Sequence, residues 1–331
     1  MKKIIIMILA ISSFMSNANE GKDHQANNEI KKLIADFAKK MAAEHDFNEK
    51  EVYSKFVNMP PNDVIIGKIS KPAESMSWYN YEKIWMTDER INDGVKFWDT
   101  HEALLNKAQE VYGVEPEIIV GIIGVETFFG KSQGTFAVVD ALNTLGFYYP
   151  PRADFFRKEL EEFLVLAKNQ GWSLDDIYGS YAGAMGMGQF ISSSYRNYAV
   201  DFNQDGKINL FSDPADAIGS VANYFKSFGW QTGGYIAQPI KLSKKQLALV
   251  QKKLELQFTA ADLKKHKIRA KNLNTSKLGI FAFEASESKN EHWLAGDNFY
   301  VITRYNHNAM YARAVLQVSR AIKAKRTAAK N

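Results

Sequence analysis

The chain has 331 residues, of which 46% are hydrophobic, 24% charged and 13% aromatic. This is ordinary globular usage, which excludes a disordered chain, a collagen-like fibre and a multi-span membrane protein; at roughly 100–200 residues per domain the length allows two or three domains. A net charge of +5 is too mild to indicate nucleic acid, and the lack of cysteine excludes disulfides, thiolate metal sites, a Cys nucleophile and a lipid-modified N-terminal Cys.

Residues 1–18 combine Lys2 and Lys3, an apolar run from Ile4 to Met15 and the small residues Ser16 and Ala18. The run is too short to span a bilayer stably, and the pattern is that of a signal peptide. Export is expected, to a compartment poor in ATP and nicotinamide cofactors, and cleavage would leave a charge of +3. Helical spacing then predicts a helix over Glu29–Ala43, with Ile30, Leu33, Ile34, Phe37 and Met41 on one face, and a second over Asn48–Asn58 ended by Pro60 and Pro61. Residues 61–80 read as extended or looped and lead into Trp78, Tyr79 and Tyr81. Arg90–Tyr112 reads as one long amphipathic helix. Pro116–Phe129 is apolar all round, which predicts a buried central helix capped by Gly130, with Gly121 and Gly124 allowing close packing.

Asp154–Asn169, Ser192–Val200 and Pro214–Phe228 read as further helices. Tyr235–Leu242, Leu278–Ala285 and Phe299–Tyr305 read as strands. The Lys-rich stretch Ser243–Ala270 reads as a solvated face, with contact to a wall polymer as the alternative. Ala309–Ala324 reads as a closing helix with a frayed Lys-rich tail.

Two local patterns carry chemistry. Glu126 ends the all-apolar segment in Gly124-Val125-Glu126-Thr127. A carboxyl in apolar surroundings favours its neutral form and can donate a proton near neutral pH. The competing reading is a helix-end Glu facing solvent. Residues 179–191, Gly-Ser-Tyr-Ala-Gly-Ala-Met-Gly-Met-Gly-Gln-Phe-Ile, form a glycine-rich loop against which a ligand can lie closely, or else a tight structural turn. Nothing in it suits phosphate, because neither a following Lys nor a Rossmann context is present.

A third pattern, Asp201-Phe-Asn203-Gln-Asp205-Gly206-Lys207-Ile208, matches the opening of an EF-hand loop. Asp201, Asn203, Asp205 and the Lys207 carbonyl supply hard oxygen ligands. Position 12 is Ser212, so a lengthened loop would close through Asp213 or, better, Asp216. The alternative is that Asp213 caps the helix beginning at Pro214 while Asp216 completes a capping turn.

The Gly-Val-Glu-Thr segment, the Gly-Ala-Met-Gly-x-Gly-Gln-Phe loop and the C-terminal Arg304-Tyr305-Asn306 with Tyr311-Ala312 together resemble the lytic murein transglycosylase B family, from about Glu29 to about Val315. The resemblance implies a mainly α (α+β) fold: a lysozyme-like catalytic core over 101–230, an N-terminal helical region over 19–100, a small β-rich insertion over 231–300 and a returning segment over 301–331. It implies Glu126 as the single catalytic acid/base, with Ser180, Met185, Gln189, Tyr305, Asn306, Tyr311, Tyr81 and Arg152 at the substrate, and a structural calcium ion in a lengthened EF-hand. Met187 stands where the family commonly has Tyr, and Ser192 where it has Pro.

The implied partner is peptidoglycan glycan in the periplasm, with other cell-wall enzymes as further partners, and a soluble monomer that is no lipoprotein is expected. The implied reaction breaks the bond between N-acetylmuramic acid and N-acetylglucosamine and leaves 1,6-anhydro ends. A lysozyme-type hydrolase and a non-catalytic wall-binding protein are the rivals.

Overall fold

A computed structural model describes residues 27–70 and 76–330; the proposed signal peptide lies outside them. The chain divides into two compact units. The first comprises residues up to Lys68, Phe136–Ile177 and Tyr181–Gly183, and the second comprises Ile69–Thr135, Tyr178–Ser180 and Ala184–Asn331. Among the described residues, no helix is long and apolar enough to cross a membrane.

The first unit is helical. Helix α1 covers 27–45 and buries Ile34, Phe37 and Met41, as its spacing requires. Helix α2, Glu49–Val57, starts at Asn48, whose side chain accepts from the Lys50 and Glu51 amides. Residues 61–80 are not all loop. Asn62 Oδ1 accepts from the Val64 and Ile65 amides and starts helix α3, Asp63–Ile69, with Ile65 fully buried. The two prolines before Asn62 end one helix and leave an Asx cap to begin the next. The strand β1 (Phe136–Ala137) leads to α8, Val138–Tyr148, and α9, Ala153–Gln170, which pack on each other. In this unit Lys40 Nζ lies 2.6 Å and His45 Nε2 2.8 Å from Glu161. Burial raises the Glu161 carboxyl, but the hydrogen bonds from Lys40 and His45 outweigh it and hold it below the usual range.

The second unit is built around α7, Pro116–Thr127, in which every residue from Ile118 to Val125 is buried. Pro116 sits at its first turn, where the missing N–H is not needed. Four helices surround it: α5 (Asp88–Thr100), α6 (Glu102–Tyr112), α11 (Pro214–Ser227) and α14 (Ala309–Lys330). A Cβ added at Gly121 would stand 2.0 Å from Ser319 Oγ, so glycine is what lets α14 cross there. The expected single helix over Arg90–Tyr112 is α5 and α6, broken at His101 (φ −113°, ψ 23°). The break turns one amphipathic stripe into two, and both α5 and α6 reach α7.

The unit also holds α4 (Trp78–Trp85), the short strand β2 (Tyr178–Gly179), α10 (Ser192–Tyr198) and a three-stranded antiparallel sheet. The sheet runs β3 (Ala237–Ile240), β5 (Lys289–Ala295), β4 (Gly279–Ser286), with Ala237 and Gly279 both opposite Ala295. Its buried face, Ile240, Leu278, Ile280 and Leu294, closes on Leu263 and Ile268. Leu263 lies on the short helix α12, Ala260–Lys265, which opens with a capping box between Thr259 and Asp262. Most of the Lys-rich stretch around it is irregular and exposed.

The expected strand over Phe299–Tyr305 is instead helix α13, Asp297–Ile302. The third strand is β5, whose Lys-Asn-Glu-His start hides its β character. The C-terminal tail is not frayed: α14 continues to Lys330, with Lys323 on Glu117 and Arg326 on Asp99 and Glu102.

Candidate active site

Helix α7 ends at Thr127, and Phe128 (φ 54°), Phe129 (φ 61°) and Gly130 (φ 85°) follow in left-handed conformation. Two successive aromatic residues there are unusual, because a Cβ crowds the backbone in that region. The turn is held on all sides. The Phe128 amide donates to Gly124 O and the Phe129 amide to Ile123 O. Thr127, 1% exposed, donates its hydroxyl to Met187 O at 2.7 Å and accepts from the Gly130 amide. The end of the central helix is thereby fastened to the glycine-rich loop.

Arg90 of α5 reaches the same place. Its guanidinium donates to Gly124 O at 3.1 Å and to Ile84 O at 2.6 Å, and lies over the rings of Trp85 and Phe128. One side chain thus joins the C-terminal ends of α4 and α7, where the helix dipoles favour a cation. Neither Arg90 nor Thr127 stood out as a site residue in the sequence. For Thr127 the signal was its place beside Glu126; for Arg90, whose partners are main-chain carbonyls, there was none.

Glu126 is half-buried, on the last turn before this junction. The Tyr311 hydroxyl, brought in by α14, donates to Glu126 Oε1 in a short hydrogen bond. Tyr311 is 3% exposed; burial first, then the Glu126 carboxylate, raises its phenol well above the usual range. The same two causes raise Tyr305, whose hydroxyl donates to Gly188 O at 2.5 Å. Both phenols therefore stay protonated donors throughout the neutral range. Glu126, Tyr305, Tyr311 and the 184–190 loop are gathered in one unit.

The remaining expected site residues divide. Ser180 is half-buried, and its Oγ accepts from the Ala184 amide at 3.0 Å, closing the start of the loop. Gln189 adopts φ 50° and spends its amide on Gln133 O and Gly186 O, at 3.0 and 3.1 Å. With Tyr305 it lines a cavity of about 100 Å³. Asn306 follows Tyr305 and is half-buried. Tyr81 is not an open groove aromatic: it is 1% exposed, packs on Trp78 and Trp85, and acts electrostatically on Tyr311. Met185 is 0% exposed and pairs through its backbone with Gly179 and Phe190, so it packs the loop from within instead of facing a ligand. Arg152 belongs to the first unit, where its guanidinium lies over Phe155 and Phe156.

The Asp201 loop is ordered by its own acids. Asp201 accepts from the Asp205 and Gly206 amides, and Asp205 from the Lys207 amide. Asp213 caps α11 through the Ala215 amide, and its other oxygen accepts from Asn203. Asp216 does not complete a capping turn; 1% exposed, it accepts from the Phe202 and Asn209 amides and ties the two ends of the loop together. Burial raises its carboxyl, and Asp213 and Asp201 push the same way. The buried Asp216, the half-buried Asp201 and Asp213, the exposed Asp205 and the Asn203 amide oxygen make a donor set suited to a hard cation such as calcium.

A family model described as the transglycosylase SLT domain matches residues 29–320. Membrane-bound lytic murein transglycosylase B of Escherichia coli (strain K12) is 40% identical over 298 residues, 86% of this chain and 81% of that protein. The crystal structure of soluble lytic transglycosylase SltB1 from Pseudomonas aeruginosa superposes with a TM-score of 0.82 at 44% identity, over 89% of this chain and 99% of that one. The Escherichia coli lytic transglycosylase Slt35, solved in complex with calcium, gives a TM-score of 0.79 at 38% identity, over 88% of this chain and 93% of that one. With a match across most of its length and relatives alike in sequence and in fold, the chain belongs to the transglycosylase SLT domain family.

Proposed function

We propose that this transglycosylase cleaves the β-1,4 bond between N-acetylmuramic acid and N-acetylglucosamine in peptidoglycan, with Glu126 as acid and then as base. The observation that supports this most is the Tyr311–Glu126 hydrogen bond at the half-buried end of a helix buried from Ile118 to Val125. The phenol donor fixes the orientation of the carboxyl and stabilises the carboxylate form that closes the reaction. Ordinary glycosidases divide these tasks between two carboxylates. One suffices when the substrate supplies the nucleophile. Glu126 protonates the bridging oxygen as the C1–O4 bond breaks, and the 2-acetamido group stabilises the oxocarbenium-like centre. The muramyl C6 hydroxyl then bonds to C1 and returns its proton to Glu126. No water is consumed, and the product end is a 1,6-anhydro ring.

In this reading Tyr311 orients the carboxyl, Tyr305 and Thr127 hold the glycine-rich loop against it, and Ser180 and Gln189 set the loop's shape. Asn306 and Arg152 remain as candidate contacts to sugar and to peptide. The Asp201, Asn203, Asp205, Lys207, Asp213 and Asp216 oxygens would hold calcium, which would neutralise the crowded acids and stiffen the loop ahead of α11. Action in the periplasm follows from the substrate and from the export pattern at residues 1–18.

Digestion of intact sacculi followed by mass spectrometry tests the reaction. Anhydromuramyl ends are expected from the wild-type protein and uncut glycan from Glu126→Gln. Reducing ends would mean hydrolysis, and binding without cleavage by either protein would mean a wall-binding role.

A further inference from the structure

The positive charge of the chain is concentrated in one segment of the second unit. Residues 241–277 carry eleven Lys or Arg and two Asp or Glu, a net charge of +9. The whole chain carries +5, so all other residues together sum to −4. The eleven basic side chains are all exposed, and none makes an ion pair among the described residues. A surface that serves solubility alone mixes both signs; a field of one sign attracts an oppositely charged partner.

The fold gathers five of these lysines. Gln246 Oε1 accepts from the Ser243 amide at 2.7 Å, and Nε2 of the same side chain donates to His266 O at 2.7 Å. One residue thus ties the Lys244–Lys245 turn to the end of α12, where Lys264, Lys265 and Lys267 stand. Leu249 and Val250 pack on the core that contains Leu263 and Ile268, so both lysine groups share one support. Leu247, two residues past Lys245, is 44% exposed.

We propose that this surface holds the enzyme to an anionic phospholipid bilayer. Ten of the eleven basic residues are Lys. Hydrated point charges on flexible stems suit a diffuse negative surface, whereas paired hydrogen bonding to single phosphates favours Arg. A glycan or nucleic acid strand calls for exposed rings on which to stack. Phe258, the one Phe, Tyr or Trp in the segment, is half-buried against the core instead. Leu247 adds an apolar contact that a headgroup layer accepts. No residue of the Glu126 site falls within 241–277, so adhesion and cleavage can be read separately.

The test mixes the full chain, and the form beginning at Asn19, with neutral phosphatidylcholine vesicles and with vesicles in which about a third of the lipid is phosphatidylglycerol. Both forms are expected to sediment with the anionic vesicles far more than with the neutral ones, and to lose the difference at about 0.5 M NaCl, where exposed charges are screened. Replacing Lys244, Lys245, Lys264 and Lys265 together by Gln is expected to weaken binding to anionic vesicles about 100-fold, because each lysine near such a surface contributes roughly fivefold. The same change to Glu should abolish it. Both variants should keep the wild-type melting temperature and the wild-type rate on soluble glycan fragments. Equal binding of wild type to the two vesicle types, or binding that survives both substitutions, would overturn the proposal. Loss of cleavage in the variants, or sedimentation with sacculi but not with vesicles, would assign the lysines to a wall polymer and overturn it as well.

Discussion

Tyr311 and Glu126 lie 185 residues apart in the chain and meet through one hydrogen bond. A hydrogen bond to a charged group contributes roughly 1.5–3 kcal/mol, so Tyr311→Phe is expected to lower kcat about 10- to 100-fold. The KM should stay nearly constant, as steady-state kinetics on sacculus-derived glycan would read; a change in KM alone would place Tyr311 in binding. Glu126 stood out as a lone acid at the end of an apolar run, but a helix-end Glu facing solvent fits the same pattern, and only the company of the glycine-rich loop and the C-terminal Tyr-Asn motif set it apart. Arg90 was not, since it serves the carbonyls of Gly124 and Ile84 and shows no side-chain pattern. Arg90→Met would leave those carbonyls without their donor, and a loss of about 2–4 kcal/mol in denaturant unfolding is expected. Met185 shows the opposite error: a motif position taken for a contact is packed at 0% exposure.

Among the elements, α7 was the plainest in the sequence, because a helix apolar on every side has to be central. Its crossing with α14 depends on Gly121. Gly121→Ala places a methyl 2.0 Å from Ser319 Oγ and 3.2 Å from Val315 O, so overpacking of about 1–3 kcal/mol is expected in a melting experiment. Combining it with Ser319→Ala should recover part of the loss. The break at His101 was hidden because both of its flanking stripes are amphipathic and face the same core. Phe299 and Val301 were read as strand from their side chains alone, yet Asp297 in the first turn and burial of Asn298, Phe299, Val301 and Ile302 fit a short helix. Tertiary context outweighs propensity in segments so short.

In the whole molecule, electrostatics act differently in the two units. The Glu161 carboxyl lies below its usual range, so its pairing stabilises the first unit above the ordinary carboxylate pKa and is lost as pH falls through the lowered value. The stability of Glu161→Gln is expected to lie below that of wild type at pH 7 by about 1 kcal/mol, read as a lower melting temperature, and to converge with it below about pH 4. A constant gap across that range would show that packing, not charge, makes the difference. In the second unit the crowded acids at Asp201, Asp213 and Asp216 should make stability depend on calcium. Melts with calcium and with chelator are expected to separate, and Asp201→Ala should abolish the separation; coincident wild-type curves would leave the acids as helix and loop caps only.

The reaction itself is tested most directly by the chemistry of the cut end. Purified protein incubated with intact sacculi should release muropeptides that end in 1,6-anhydromuramic acid, each lighter by one water than its hydrolysed counterpart, and Glu126→Gln should release none. Muropeptides with reducing ends, or equal release by the Glu126→Gln protein, would contradict a single carboxyl acting as acid and then as base.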